Sequence, residues 1–141
     1  MLKYILPFLL VIFAGCSSSE KTIIIDEQNI AGTYTRTSLR QNNQDDESNL
    51  FKIDLKLILK ENGEFEASED NRNFKGNYLL DGNKLIVLNK SCTGKGVYKI
   101  ELKFGKLILT EIEDDCLFRD MILDGAWIKE ENKSTSEKPS S

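Results

Sequence analysis

Histidine is absent from all 141 residues. Its absence removes most zinc sites, every Ser/His triad and the side chain that titrates near neutrality. The expectation is therefore a protein that is not an enzyme. Basic residues do not cluster along the chain: 19 Lys and Arg are scattered among 23 Asp and Glu, for a net charge of −4. Positive charge so dispersed argues against nucleic acid and anionic lipid head groups as partners. Long apolar runs are also lacking. Tyr4 to Phe13, broken once by Pro7, is roughly half of the ~20 residues that a membrane-spanning helix requires. No interior segment repeats apolar residues with a period of 3.6, so no interior helix is expected. Residues 130–141 hold no apolar side chain that could dock, and read as a disordered tail.

What is present begins at the amino terminus. Lys3, the apolar run behind it and the closing Phe13-Ala14-Gly15-Cys16 have the layout of a secretory signal. Small residues followed by cysteine resemble the lipobox of bacterial lipoproteins. That resemblance implies cleavage before Cys16, a diacylglycerol on its sulfur and a further acyl chain, such as palmitate, on its new amino group. Several acyl chains hold a domain at a bilayer essentially permanently, so the expected location is the cell envelope, with the membrane as partner. Ser17, rather than Asp, favours the outer membrane in a two-membrane host. Phe13 departs from the more usual Leu of the motif. The segments expected are a signal peptide over 1–15, a lipidated cysteine and tether over 16–29, one domain over 30–129 and the tail over 130–141. Without residues 1–15 the chain keeps 18 of its 19 basic residues against 23 acidic ones, a net charge of about −5.

With Cys16 assigned to lipid, Cys92 and Cys116 remain as an even pair in an oxidising compartment. A disulfide between them is the favoured reading, with two buried thiols or a redox pair as alternatives. Redox motifs keep their cysteines two residues apart, and these stand 24 apart.

The interior reads as strands. In Phe51–Leu59 the residues Phe51, Ile53, Leu55, Leu57 and Leu59 share one face, the period-two pattern of a strand buried on one side. Tyr98, Ile100 and Leu102 alternate with Lys99, Glu101 and Lys103 in the same way. Eight strands are predicted, at about 31–37, 51–60, 64–69, 73–80, 84–89, 96–103, 106–113 and 117–129. Ile23-Ile24-Ile25 reads as an opening strand or a turn of helix. Turn signals between the strands make an antiparallel meander that closes into a barrel. Pairing Leu59 with Phe65 leaves Glu61-Asn62-Gly63 as a three-residue loop, with Gly63 where a left-handed residue is needed. Pairing Leu102 with Leu107 brings Cys92 to within one residue of the position opposite Cys116. The turn at Asp81-Gly82-Asn83 has no fixed register, because Leu79 and Leu80 are both apolar. Residues 38–50 form a long polar loop at one mouth of the barrel.

Gly32-Thr33-Tyr34 is similar to the Gly-x-Trp opening of lipocalins. Gly76-Asn77-Tyr78-Leu79-Leu80-Asp81-Gly82-Asn83-Lys84-Leu85 resembles a repeating unit of small bacterial lipocalin-like proteins. Cys92 to Tyr98, Leu107 to Leu109, Asp115 to Arg119 and Leu123 to Trp127 resemble their last hairpins. The resemblance covers about residues 30–129 and implies an all-β, eight-stranded antiparallel up-and-down barrel of lipocalin or calycin type. It also implies a ligand cavity. Tyr34 in place of tryptophan and the short barrel are departures, and shorter strands enclose less space.

Three residues are candidate polar fixtures for a ligand: Tyr98, Glu111 opposite it, and Arg119 on the last strand. Glu111 shares a face with Leu107 and Leu109, where a carboxylate requires a partner, and Arg119 is the expected one. A structural bridge, or a bulge that turns Glu111 outward, is the competing reading. The acidic run Glu111, Glu113, Asp114, Asp115 lacks the spacing of a calcium loop and reads as a charged hairpin end; neither metal nor cofactor is expected. Trp127, the sole tryptophan, is expected to plug the barrel. The leading functional expectation is a small hydrophobic or amphipathic ligand bound in the barrel. The alternative is an interaction module with a packed barrel that binds another envelope protein through its loops.

Overall fold

A computed structural model describes residue 15 and residues 23–41 and 50–131 of the chain. The segment expected to be a signal peptide, up to residue 14, the cysteine expected to carry lipid, Cys16, the middle of the expected 38–50 loop and nearly all of the 130–141 tail lie outside the described residues. Eight strands follow in chain order: β1 (Gly32–Gln41), β2 (Leu50–Leu59), β3 (Glu64–Glu69), β4 (Arg72–Asp81), β5 (Lys84–Asn89), β6 (Gly96–Lys103), β7 (Lys106–Asp114) and β8 (Gly125–Lys129). Each pairs antiparallel with the next, and β8 returns to β1 to close the barrel. Closure leaves no sheet edge for another chain to extend.

The predicted registers hold. Leu59 pairs with Phe65, Leu102 with Leu107 and Ile100 with Leu109. Gly63 takes φ +84°. The turn left open by Leu79 and Leu80 is a two-residue loop, Gly82-Asn83, because Leu80 pairs with Leu85 and Asp81 with Lys84. Tyr78 then points inward while Leu79 is exposed.

Two helices correct the all-strand reading. α1 (Glu27–Ile30) is a single turn with Asp26 as its cap, and Ile30 is buried beneath the end where β1 begins. α2 (Leu117–Leu123) occupies most of the segment predicted as the last strand. Arg119, Ile122 and Leu123 are buried and Phe118 packs on the core. Those positions follow the i, i+3, i+4 spacing of a helix face, a seven-residue signal too short to stand out from its apolar neighbours. Phe118 meets Phe74 with the rings tilted by 60° and their centroids 5.8 Å apart, and the Arg72 guanidinium lies 5.5 Å from the Phe118 ring centre.

Large apolar side chains occupy the barrel interior. Inward residues from all eight strands join Ile30 of α1 and Ile122 and Leu123 of α2 in one continuous core. Trp127, Tyr34, Tyr98 and Phe65 are its largest apolar members, each at most 1 % exposed. Gly76 lies on the inward face of β4, and a Cβ there would stand 2.7 Å from the Phe65 ring and overlap the Leu88 carbonyl. The packing thus reaches the backbone itself.

Candidate functional site

The polar groups that could carry function collect at the end capped by α2. One extra residue in β7 determines which of them points in. Val97 pairs with Glu113 and Tyr98 with Glu111, so Ile112 is accommodated as a bulge. A bulge of one residue inverts the inward alternation beyond it. Leu107 and Leu109 face the core, but past the bulge the inward position belongs to Asp114, opposite Gly96. Gly96 makes room for it: a Cβ there would stand 2.9 Å from Arg119 Nε.

Asp114 and Arg119 form a buried ion pair with both side chains fully enclosed. Arg119 Nε donates to Asp114 Oδ2 at 2.7 Å and Nη2 to Oδ1 at 2.6 Å, the two-pronged geometry natural to guanidinium and carboxylate. Nη1 donates to Asn89 Oδ1 at 2.8 Å and to the Gly94 carbonyl at 3.3 Å. Asp114 also accepts the Tyr98 hydroxyl and, at 2.9 Å, the Cys116 N–H. Burial works against the Asp114 charge, yet the bonds from Arg119, Tyr98 and Cys116 outweigh it and hold the carboxyl below the usual aspartate range. Burial, then the Asp114 hydrogen bond, pushes the Tyr98 phenol far up. These bonds favour an ionised Asp114 and a protonated Tyr98 near neutral pH.

Of the three candidates, the structure brings two together and separates the third. Tyr98 and Arg119 meet through Asp114. Arg119 lies on α2, not on a strand, and does not pair with Glu111. The bulge leaves Glu111 exposed, where its carboxylate accepts the Asp114 N–H at 3.1 Å and its own N–H donates to Asp124 at 2.9 Å. The functional partner that sequence reasoning missed is Asp114, passed over as part of an acidic run. Asn89 was missed as well.

The rest of the cap is tied down just as closely. A disulfide joins Cys92 to Cys116, the residue before α2, with Cα atoms 5.7 Å apart. At the other end of α2, Arg36 Nη2 donates to the Met121 and Ile122 carbonyls at 3.1 and 2.6 Å, and Trp127 Nε1 to the Leu123 carbonyl at 3.0 Å. These are carbonyls that a helix end leaves without internal partners. The Arg36 guanidinium lies 4.9 Å from the Trp127 ring centre, within cation–π range. Beside it Arg40 pairs with the buried Glu69 at 2.5 Å. Among the described residues, Glu69 Oε2 and Arg36 Nε are buried with no hydrogen-bond partner. Burial, then the charges of Glu111, Asp124 and Asp114, raises the Asp120 carboxyl. A groove of about 740 Å³ lies on the outer wall, where Glu66 bonds Lys60 at 2.9 Å beside Leu88.

The class these features define is a small closed antiparallel β-barrel with an apolar core and a disulfide-tied helical cap. No protein family matches the chain, and no curated protein or solved structure does either.

Proposed function

We propose that the protein is a lipid-anchored, non-enzymatic module of the cell envelope whose lipocalin-like barrel is a scaffold for contact with another envelope protein. The observation that carries this reading is the interior: aromatic and aliphatic side chains occupy it from α1 to α2, in the space where a carrier barrel would hold its ligand. Exposed apolar residues at the capped end favour contact by surface. Leu117 and Met121 on α2, Leu50 and Phe51 at the start of β2 and Ile112 at the bulge are between 43 and 72 % exposed. Apolar side chains gathered at one end mark interaction sites more often than scattered ones do. In this reading Cys16 carries the lipid and the cap end faces the partner.

A second reading, a carrier of a small amphipathic ligand, has one observation in its favour. Glu69 Oε2 and Arg36 Nε, unpaired among the described residues, would receive a polar head group beneath α2. The test is site-specific photocrosslinking in intact cells, from Leu117 and, on the outer face of β4, from the exposed Lys75. The expected result is one discrete protein adduct from Leu117, lost in Met121→Asp, and none from Lys75. Equal, diffuse labelling from both positions contradicts the proposal.

A further inference from the structure

The end opposite α2 carries a feature that barrel stability does not explain. The β6–β7 hairpin turns on Phe104-Gly105, with Phe104 at φ +52° and 99 % exposed. A two-residue hairpin loop with a left-handed first position favours Asn, Asp or Gly; an aromatic side chain there meets steric resistance from its own backbone. The other tight turns of this chain follow the preference, with Asp70 and Gly82 at positive φ. Phe104 gains no packing in return, since its ring is in water.

Its surroundings are charged in a particular way. Lys103 pairs directly with Lys106 across the hairpin, and Lys84 with Lys99 on the adjoining strands. Like charges facing each other across a sheet repel, and both pairs involve β6, four residues apart. Glu101 is shared by Lys99 at 3.3 Å and Lys103 at 3.2 Å; Lys84 and Lys106 join no ion pair among the described residues. Lys103 and Lys106 thus flank an exposed aromatic tip, with Lys99 and Lys84 further back along the sheet, although the sequence has no run of basic residues.

This tip shares its end of the barrel with the incoming chain. Ile128 pairs with Thr35 on one side and with Lys106 on the other, so the β6–β7 turn projects where β1 begins. There α1 packs, preceded by Ile23 and Ile24, which are 54 and 70 % exposed. From Cys16 to Ile23 there are seven peptide steps, which span at most about 24 Å.

We infer that this end of the barrel rests on the bilayer, with Phe104 at the boundary of head groups and acyl chains and Lys84, Lys99, Lys103 and Lys106 against lipid phosphates. The inference rests on the proposed lipid at Cys16, which tethers this end. An aromatic tip flanked by lysines matches the interface of an anionic membrane, and α2 is then turned away from it.

The sole tryptophan provides the test. Trp127 is fully buried, so a Phe104→Trp variant adds one indole at the tip over a shielded background. The full chain, purified from membranes, is reconstituted in phosphatidylethanolamine and phosphatidylglycerol vesicles with brominated acyl chains. The expected result is a blue-shifted emission quenched at least about twofold relative to unbrominated vesicles, as for a side chain at interfacial depth. A Leu117→Trp variant, at the far end, stays unquenched. Lys103→Glu with Lys106→Glu in the Phe104→Trp background weakens the quenching. An unquenched tip in a protein acylated at Cys16, or quenching at Leu117 instead, overturns the inference. A mass spectrum of the amino-terminal peptide without acyl chains overturns the anchor reading separately.

Discussion

Asp114 is the residue on which the cap depends. Its carboxylate accepts from Arg119, Tyr98 and the Cys116 N–H at once, so its loss strands a buried guanidinium. Asp114→Asn is expected to cost about 3–5 kcal/mol, the usual consequence of removing one partner of a buried pair, read as a fall in the urea midpoint. Because folding depresses this carboxyl, its contribution is fully present above the ordinary aspartate pKa of about 3.9 and is lost as the pH falls through the folded value. The wild type should therefore lose stability between about pH 4 and the folded pKa below it, and the asparagine variant should lack that component. The tyrosines give the opposite sign. Burial, then the neighbouring Tyr78, pushes Tyr34 up to about 12, and burial raises Tyr78 and Tyr98 as well. Stability is present below the ordinary tyrosine pKa of about 10 and falls as the pH rises above it. Tyrosinate absorbance should then appear together with loss of circular dichroism, not ahead of it. Sequence reasoning reached Tyr98 and Arg119 but missed the acid between them, because the bulge at Ile112 is set by how β7 meets β6 and no residue type announces it.

At the level of elements, the strands were legible because one-sided burial writes a period of two over β2 and β6, and Gly63 marks its turn. α2 was not, since seven residues hold only two turns and its apolar positions also read as strand. Its attachment is tertiary: the disulfide before it, Arg119 inside it, and Arg36 and Trp127 at its end. Cys92→Ser with Cys116→Ser opens a loop of 24 residues' separation, and should cost on the order of 3 kcal/mol in the chain-entropy description. Hydrogen exchange should report the loss first as faster exchange of the Asp120 and Asp124 amides, which bond within α2. On the barrel wall, Gly76→Ala places a methyl group against the Phe65 ring and the Leu88 carbonyl. Overpacking of this kind costs typically about 1–3 kcal/mol, measurable as a lowered melting temperature.

For the molecule as a whole, closure of the meander does what the linear sequence conceals. Lys84, Lys99, Lys103 and Lys106 come from three strands and are separated by other residues, so a search for basic runs passes over them, yet the registers bring them together. The same closure gives the barrel two unlike ends: exposed Phe104 among lysines where the chain enters, and a disulfide-tied helix at the other. The resemblance to lipocalins implied a cavity, and the volume available inside is decided by how large side chains such as Trp127, Tyr34 and Phe65 interleave, which pattern alone does not report. The central claim is that the barrel works as a filled scaffold. Its most direct test is a native mass spectrum, with lipid extraction, of the protein purified from its own membranes. The account predicts the mass of the chain with its acyl chains at Cys16, two hydrogens lost to the Cys92–Cys116 disulfide, and nothing else retained. A small apolar molecule bound reproducibly at near-stoichiometric amount would contradict it and make the barrel a carrier.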